Sequence, residues 1–177
     1  NFGVVGAGDT YFFDDISLTA PPESLTLPLT FEFASVEYVF NGFGGSNGSK
    51  IANPHIGGIN TSANIGQVIK NAGAETWAGV AMPLVAPIDF SSQQKIKMKV
   101  WSPAAGVPVL LKLEDIPLTV STELLATTTV ANQWEELTWD FTGIVNANNY
   151  QNVILFFDFN NPGTGATYYF DDIELTN

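Results

Sequence analysis

Hydrophobic and polar residues alternate with a period of two through much of the chain, the spacing at which successive side chains leave opposite faces of a β-strand. In Lys95-Ile96-Lys97-Met98-Lys99-Val100-Trp101, the set Ile96, Met98 and Val100 faces a core while Lys95, Lys97, Lys99 and Trp101 face out. Val109, Leu111 and Leu113 alternate in the same way with Leu110, Lys112 and Glu114, and Ala78, Val80 and Met82 with Trp77, Gly79 and Ala81. Residues 153–159 are apolar at both parities apart from Asp158, the pattern of a central strand whose outer face is partly sheltered. No 12-residue stretch keeps the i, i+3, i+4, i+7 spacing of an amphipathic helix. Ten short strands are predicted, at 29–33, 38–40, 65–70, 77–83, 95–101, 109–114, 124–130, 135–141, 153–159 and 167–175. Separated by Gly, Asn, Pro and Ser clusters, they imply an all-β chain in which two antiparallel sheets pack face to face as a β-sandwich of the jelly-roll kind.

The chain also repeats itself. Thr10-Tyr11-Phe12-Phe13-Asp14-Asp15-Ile16-Ser17-Leu18-Thr19 is matched by Thr167-Tyr168-Tyr169-Phe170-Asp171-Asp172-Ile173-Glu174-Leu175-Thr176, an offset of 157 residues from 10 to 167. The simplest reading is a tandem array. Residues 1–20 are then the last strand of a preceding copy, residues 21–24 (Pro21-Pro22-Glu23-Ser24) a short stiff linker, and residues 25–177 one complete sandwich. The other reading makes the two segments similar strands of a single sandwich. As a copy of the last strand, 1–20 is expected to stay extended and pair with a sheet edge, in this molecule or a neighbour. Asn1 opens the sequence without the n-region or h-region of a signal peptide, so the chain reads as a piece of something longer.

Composition narrows the chemistry. Of 177 residues, 45% are hydrophobic, enough for a sizeable core, and 18 acidic residues against six lysines and no arginine give a net charge of −12. Nucleic acid is an unsuitable partner, because phosphate recognition rests on clustered Lys and Arg. No run of about 18 apolar residues offers a membrane-spanning helix. With no cysteine and a single histidine, disulfides, thiolate metal sites and thiol catalysis drop out, and few groups are left for acid–base work. His55 lies in a Gly/Asn-rich loop without a second histidine, and no pair of carboxylates has a spacing that recommends it for glycoside hydrolysis. No catalytic residue is assigned.

Two groups of residues do suggest chemistry. The first is the outward set on one sheet: Trp77 and Trp101 as flat platforms, with Lys97, Lys99, Lys112, Glu114 and Asp158 as hydrogen-bonding groups around them. A sugar ring presents an apolar face of C–H bonds and a rim of hydroxyls, so a glycan site combines an aromatic floor with a polar surround. The plain alternative is an ordinary solvated face with both tryptophans packed under loops. The second group is acidic. Glu32 lies near the domain start and Asp171 and Asp172 lie in the last strand; where first and last strands are neighbours, these carboxylates meet, and Ca²⁺ accepts such oxygens together with loop carbonyls. The plain alternative is a charged strand edge that resists aggregation.

These residues carry a resemblance. Phe31-Glu32, Trp134-Glu135-Glu136-Leu137-Thr138 and the closing Tyr169-Phe170-Asp171-Asp172-Ile173 resemble the jelly-roll carbohydrate-binding modules of the family 4, 9 and 22 type. The stretch from Asn53-Pro54 through Gly58-Ile59-Asn60-Thr61-Ser62, with Gly66, Lys70 and Trp77-Ala78-Gly79, is similar to modules of secreted polysaccharide-degrading or glycan-capturing proteins of marine Bacteroidetes. The resemblance implies a ligand across the concave sheet and a structural Ca²⁺ joining an early Glu to a late Asp. These roles fall on Trp77 and Trp101 and on Glu32 and Asp171, with Asp171 preferred to Asp172 because it shares strand parity with Ile173 and Leu175.

Together these readings predict a non-catalytic glycan-binding module of a multimodular secreted protein, extracellular or at the cell surface. A neutral β-glucan, laminarin-like β-1,3-glucan in particular, is the expected ligand, since a −12 domain repels polyanions. Four of the six lysines lie between Lys95 and Lys112, so an acidic algal polysaccharide held by a lysine stripe is the second expectation. A spacer that only positions neighbouring modules is the third.

Overall fold

The computed structural model describes residues 25–177; residues 1–20, expected as the last strand of a preceding copy, and 21–24, expected as a linker, lie outside the described residues. Ten strands run in the order β1 (Asn41–Phe43), β2 (Ser46–Ala52), β3 (Asn64–Lys70), β4 (Gly79–Pro83), β5 (Lys95–Trp101), β6 (Pro108–Asp115), β7 (Ser121–Thr127), β8 (Trp134–Asp140), β9 (Tyr150–Phe157) and β10 (Ala166–Thr176), with one 3₁₀ turn at Asn146–Asn148. They form two antiparallel five-stranded sheets. Sheet one has the order β1-β4-β9-β6-β7 and sheet two the order β2-β3-β10-β5-β8. The all-β sandwich expected from the alternation is the observed architecture. No helix among the described residues is long and apolar enough to cross a membrane.

The inward sets interdigitate as the period-two pattern requires. Ile96, Met98 and Val100 of β5 meet Val109, Leu111 and Leu113 of β6 in one buried cluster, with Val80, Met82, Val153, Leu155, Phe157 and Phe170. Trp139 is buried there too, its indole N–H donating to the carbonyl of Val109 at 3.3 Å. Gly66 of β3 lies beneath the ring of Phe170, which would stand within 2.7 Å of any added Cβ. Lys70 also points inward. It is 1% exposed, and its Nζ donates to the carbonyl of Asp158 at 2.8 Å and to those of Phe157 and Thr76 at 3.4 Å. Burial pulls its pKa down, with the charge of Asp158 opposing the fall. The side chain thereby ties sheet two to the end of β9 and to the residue preceding Trp77.

Three sequence expectations change. Segments 29–33 and 38–40 are not strands, although Leu29 exchanges backbone hydrogen bonds with Ile173. The edge strand β2, Ser-Asn-Gly-Ser-Lys-Ile-Ala, has the composition of a loop and becomes a strand by pairing with β3 from Ser46↔Lys70 to Ala52↔Asn64. In β10 the register shifts between Asp171 and Glu174, and Asp172 takes a left-handed conformation (φ 48°). This β-bulge breaks the parity used to place Asp171 with the core. Asp171 pairs with Lys99 and lies on the outer face of sheet two with Tyr169, which pairs with Trp101.

Candidate functional site

The outward residues that the sequence grouped together divide between opposite sides of the sandwich. Trp77 precedes β4, and Lys112 and Glu114 lie on β6, both strands of sheet one; Lys97, Lys99 and Trp101 lie on β5 of sheet two. The single platform and the single lysine stripe are therefore corrected to two separate faces. Alternation assigns each side chain to inside or outside but does not say which sheet a strand joins.

The outer face of sheet one is built in rows across its strands. Phe43, Gly79, Phe156, Leu110 and Leu125 form one row, and Asn41, Ala81, Ile154, Lys112 and Glu123 the next. Leu110, Ile154 and Phe156 form a second apolar cluster, separate from the core, with Phe43, Ala81 and Phe159 packed against it. Gly79 makes the close approach possible: a Cβ there would stand 2.8 Å from the ring of Phe43 and 2.9 Å from that of Phe156. On this floor the indole of Trp77 stacks on Phe43 at 6.2 Å and 15°, and Phe43 meets Phe156 edge-on at 5.5 Å. Trp77 remains 52% exposed. The face grows polar toward its other end, where Lys112 Nζ pairs with Glu114 at 2.8 Å and Asn152 donates to Glu114 at 3.5 Å. Asp158 stands apart from these rows. Its backbone is left-handed (φ 52°) just past the end of β9, and its carboxylate accepts from Asn161 at 2.7 Å.

The outer face of sheet two is different. Its lysines are held by carboxylates: Lys95 by Asp140, Lys97 by Glu136 and Glu174, and Lys99 by Asp172 at 2.6 Å. Asp172 thus faces Lys99. Glu174 and then Glu136 hold the Lys97 pKa above its ordinary value. Four carboxylates against three ammonium groups leave this face without excess positive charge. Of the remaining lysines, Lys50 donates to the carbonyl of Phe33 and sits 4.8 Å over the Tyr38 ring.

The loop at 53–63 folds across this face. Asn53 and Asn60 organise it, Asn53 accepting from the His55 amide and donating to the Ser62 carbonyl, Asn60 accepting from the Ser62 amide. His55 stacks on Trp101 at 4.2 Å and 4°, and both rings meet Tyr169. The Trp134 indole donates to the His55 carbonyl at 2.8 Å. His55, Tyr169 and Trp134 had no part in the expected site; the outward alternation of β8 would have marked Trp134, whereas the bulge in β10 hid Tyr169 by giving it the parity of the inward Ile173.

Under the same loop Asp171 is 0% exposed. One carboxylate oxygen accepts from the Asp172 amide at 2.9 Å, while Oδ2 has no hydrogen-bond partner. Burial pushes its pKa up to about 6, with the Asp172 charge adding to the rise and nearby Ser62 and Asn60 opposing it. Glu32 accepts from the amide of Asn64, the residue that opens β3, at 2.7 Å. An orphaned, buried carboxylate oxygen suits a hard cation. Among the described residues no group of three acidic or histidine side chains gathers, so such an ion would draw further oxygens from carbonyls or water.

The architecture defines a fold class, the two-sheet antiparallel β-sandwich, which solved carbohydrate-binding modules share. The chain is similar in fold to the family 11 carbohydrate-binding module of a cellulosomal cellulase of Clostridium thermocellum (TM-score 0.57, 15% identity, 89% of this chain and 96% of that one). The Clostridium thermocellum family 11 module in complex with a β-1,3-1,4-mixed-linked tetrasaccharide is also similar (TM-score 0.56, 15% identity, 82% and 92%). An exo-β-agarase contains a similar fold over 25% of its length (TM-score 0.60, 10% identity, 87% of this chain). No protein-family model and no curated protein matches the sequence.

Proposed function

We propose that this chain is a non-catalytic glycan-binding module of a multimodular secreted protein, and that a neutral β-glucan lies across the outer face of sheet one. The observation that carries the reading is Trp77, a half-exposed indole braced by Phe43 and continued along the sheet by Lys112, Glu114 and Asn152. A pyranose stacks its C–H face on the indole while its hydroxyls meet the polar end. Each of the six lysines already has a partner, which argues for a neutral ligand over a uronate or sulfate. A β-1,3-1,4-linked ligand on a module of similar fold supports the same class of glycan, and laminarin-like β-1,3-glucan is the first candidate. Ca²⁺ is proposed as a structural ion between Asp171 and Glu32, where it would supply the missing partner for Asp171 Oδ2.

Affinity electrophoresis through gels containing laminarin, mixed-linkage glucan, xylan, alginate or carrageenan tests the reading. Retardation by a neutral glucan, unchanged in Lys97→Met and Lys99→Met variants, is expected. Retardation by alginate or carrageenan alone, lost in those variants, would move the site to the lysines of sheet two. Free migration in every gel would leave a spacer domain.

A further inference from the structure

The sandwich has a second aromatic cleft, on the side away from Trp77. Between the 55–58 hairpin and residues 132–134 lies a space of about 410 Å³, floored by Trp101 and Trp134. That volume falls within the roughly 300–1,000 Å³ usual for small-molecule sites. We infer that this cleft is a second glycosyl-binding site, which takes a short stretch of neutral glycan independently of sheet one; it rests on the reading that the module binds glycan.

Three observations carry the assignment. The walls are preorganised: His55 is stacked on Trp101, and the Trp134 indole is locked to the His55 carbonyl at 2.8 Å, so little order remains to be imposed on binding. The polar groups are free. Asn132 is fixed by its backbone amide, which donates to the Ser102 carbonyl at 2.7 Å, yet the side-chain amides of Asn132 and Gln133 make no hydrogen bond to another described residue. Each offers a donor and an acceptor to sugar hydroxyls. Finally, no lysine or carboxylate lines the cleft, which selects an uncharged ligand. Aromatic rings beside unengaged neutral amides suit a pyranose, which brings C–H bonds to the rings and hydroxyls to the amides.

Sites on opposite faces cannot both be filled by one short oligosaccharide, so the module would bridge two glycan chains and gain avidity on an insoluble or gelled polysaccharide. The four tryptophan indole N–H resonances of the ¹⁵N-labelled chain report the two faces separately. Trp77 reads sheet one, Trp101 and Trp134 read the cleft, and the buried Trp139, bonded to Val109, is the internal control.

On titration with laminarihexaose, Trp77 and Trp134 are expected to shift along separate saturation curves. The Trp134 response should persist in Trp77→Ala. Gln133→Ala, an exposed substitution that leaves the fold alone, should weaken the Trp134 curve about fivefold, the size of one net hydrogen bond, without altering the Trp77 curve. A shift at Trp77 with Trp101 and Trp134 unmoved would overturn the second site and leave the proposed function standing. A shift at Trp134 with Trp77 unmoved would keep the cleft and the glycan-binding reading and overturn the placement of glycan on sheet one. A Trp134 response that vanishes in Trp77→Ala would mean it is transmitted from sheet one, and overturns the site. No shift with laminarihexaose, mixed-linkage tetrasaccharide or xylohexaose removes both.

Discussion

Replacing Trp77 by alanine puts a number on the sheet-one platform. A tryptophan presents at most roughly 250 Å², and with the residue 52% exposed about half of that, roughly 125 Å², is in water. Phe43 lies nearly parallel to the indole and offset from it, 6.2 Å away, so part of the indole stays open to a sugar. At about 25 cal/mol per Å², full coverage is worth about 3 kcal/mol from the protein side, a ceiling because the ring edges stay wet. Half coverage contributes about 1.5 kcal/mol, a weakening of about tenfold. Trp77→Phe keeps a flat ring and should lose less. The assay is titration calorimetry with laminarihexaose and the mixed-linkage tetrasaccharide at 25 °C, in a Trp134→Ala background so that heat from the opposite cleft does not mask the loss. Thermal melts accompany it, because the covered half of Trp77 packs on Phe43 and its removal costs up to about 3 kcal/mol of stability. A folded Trp77→Ala variant that binds within about twofold of its parent would refute the platform.

Other parts of the molecule make independent predictions. Chelation should lower the melting temperature by roughly 5–10 °C if Ca²⁺ is present at about a hundred times its Kd, and Asp171→Asn should abolish the response to added Ca²⁺; equal melts with and without chelator would remove the ion. Gly66→Ala forces a methyl against Phe170, itself wedged by Phe31 at 5.3 Å and Phe157 at 6.1 Å. Overpacking of about 1–3 kcal/mol should drop the melting temperature by several degrees, and a change under about one degree would show that Phe170 has room to move. Tyr168, buried at 2% exposure, has its pKa pushed up to about 12, first by burial and then by the Asp158 charge. The folded state therefore keeps a proton that the unfolded chain loses above pH ~10, so stability falls between about pH 10 and 12, by about 1.4 kcal/mol at pH 11. Urea midpoints that decline in parallel for the parent and Tyr168→Phe would contradict this.

The two outer faces differ in chemistry because they belong to different sheets. Sheet one carries the broad floor, where Gly79 lets two aromatic rings close beneath Trp77. Sheet two neutralises its lysines in cross-strand pairs and has an open aromatic corner beside the 53–63 loop. Exposed ion pairs of this kind contribute little stability each. Their consequence is electrostatic: they remove the positive stripe that an anionic polysaccharide would need.

What the sequence determined by itself was everything set by local period. Alternation in β5, β6 and β4 named the inward residues one by one, and the apolar run with a single Asp marked β9 as central with a sheltered outer face, as the cluster of Leu110, Ile154 and Phe156 shows. The absence of helical spacing and of arginine and cysteine was equally a property of the string. Tertiary structure alone decided which sheet each strand joined, and so that Trp77 and Trp101 look in opposite directions. It decided that the loop-like β2 is a strand, because backbone pairing with β3 overrides weak propensity at a sheet edge. It also placed the left-handed Asp172 in β10, where one extra residue reverses parity and turns Asp171 out of the core and under the 53–63 loop. Period-two patterning is a property of neighbours along the chain, whereas sheet membership, bulges and loop cover are set by pairings between residues far apart in sequence.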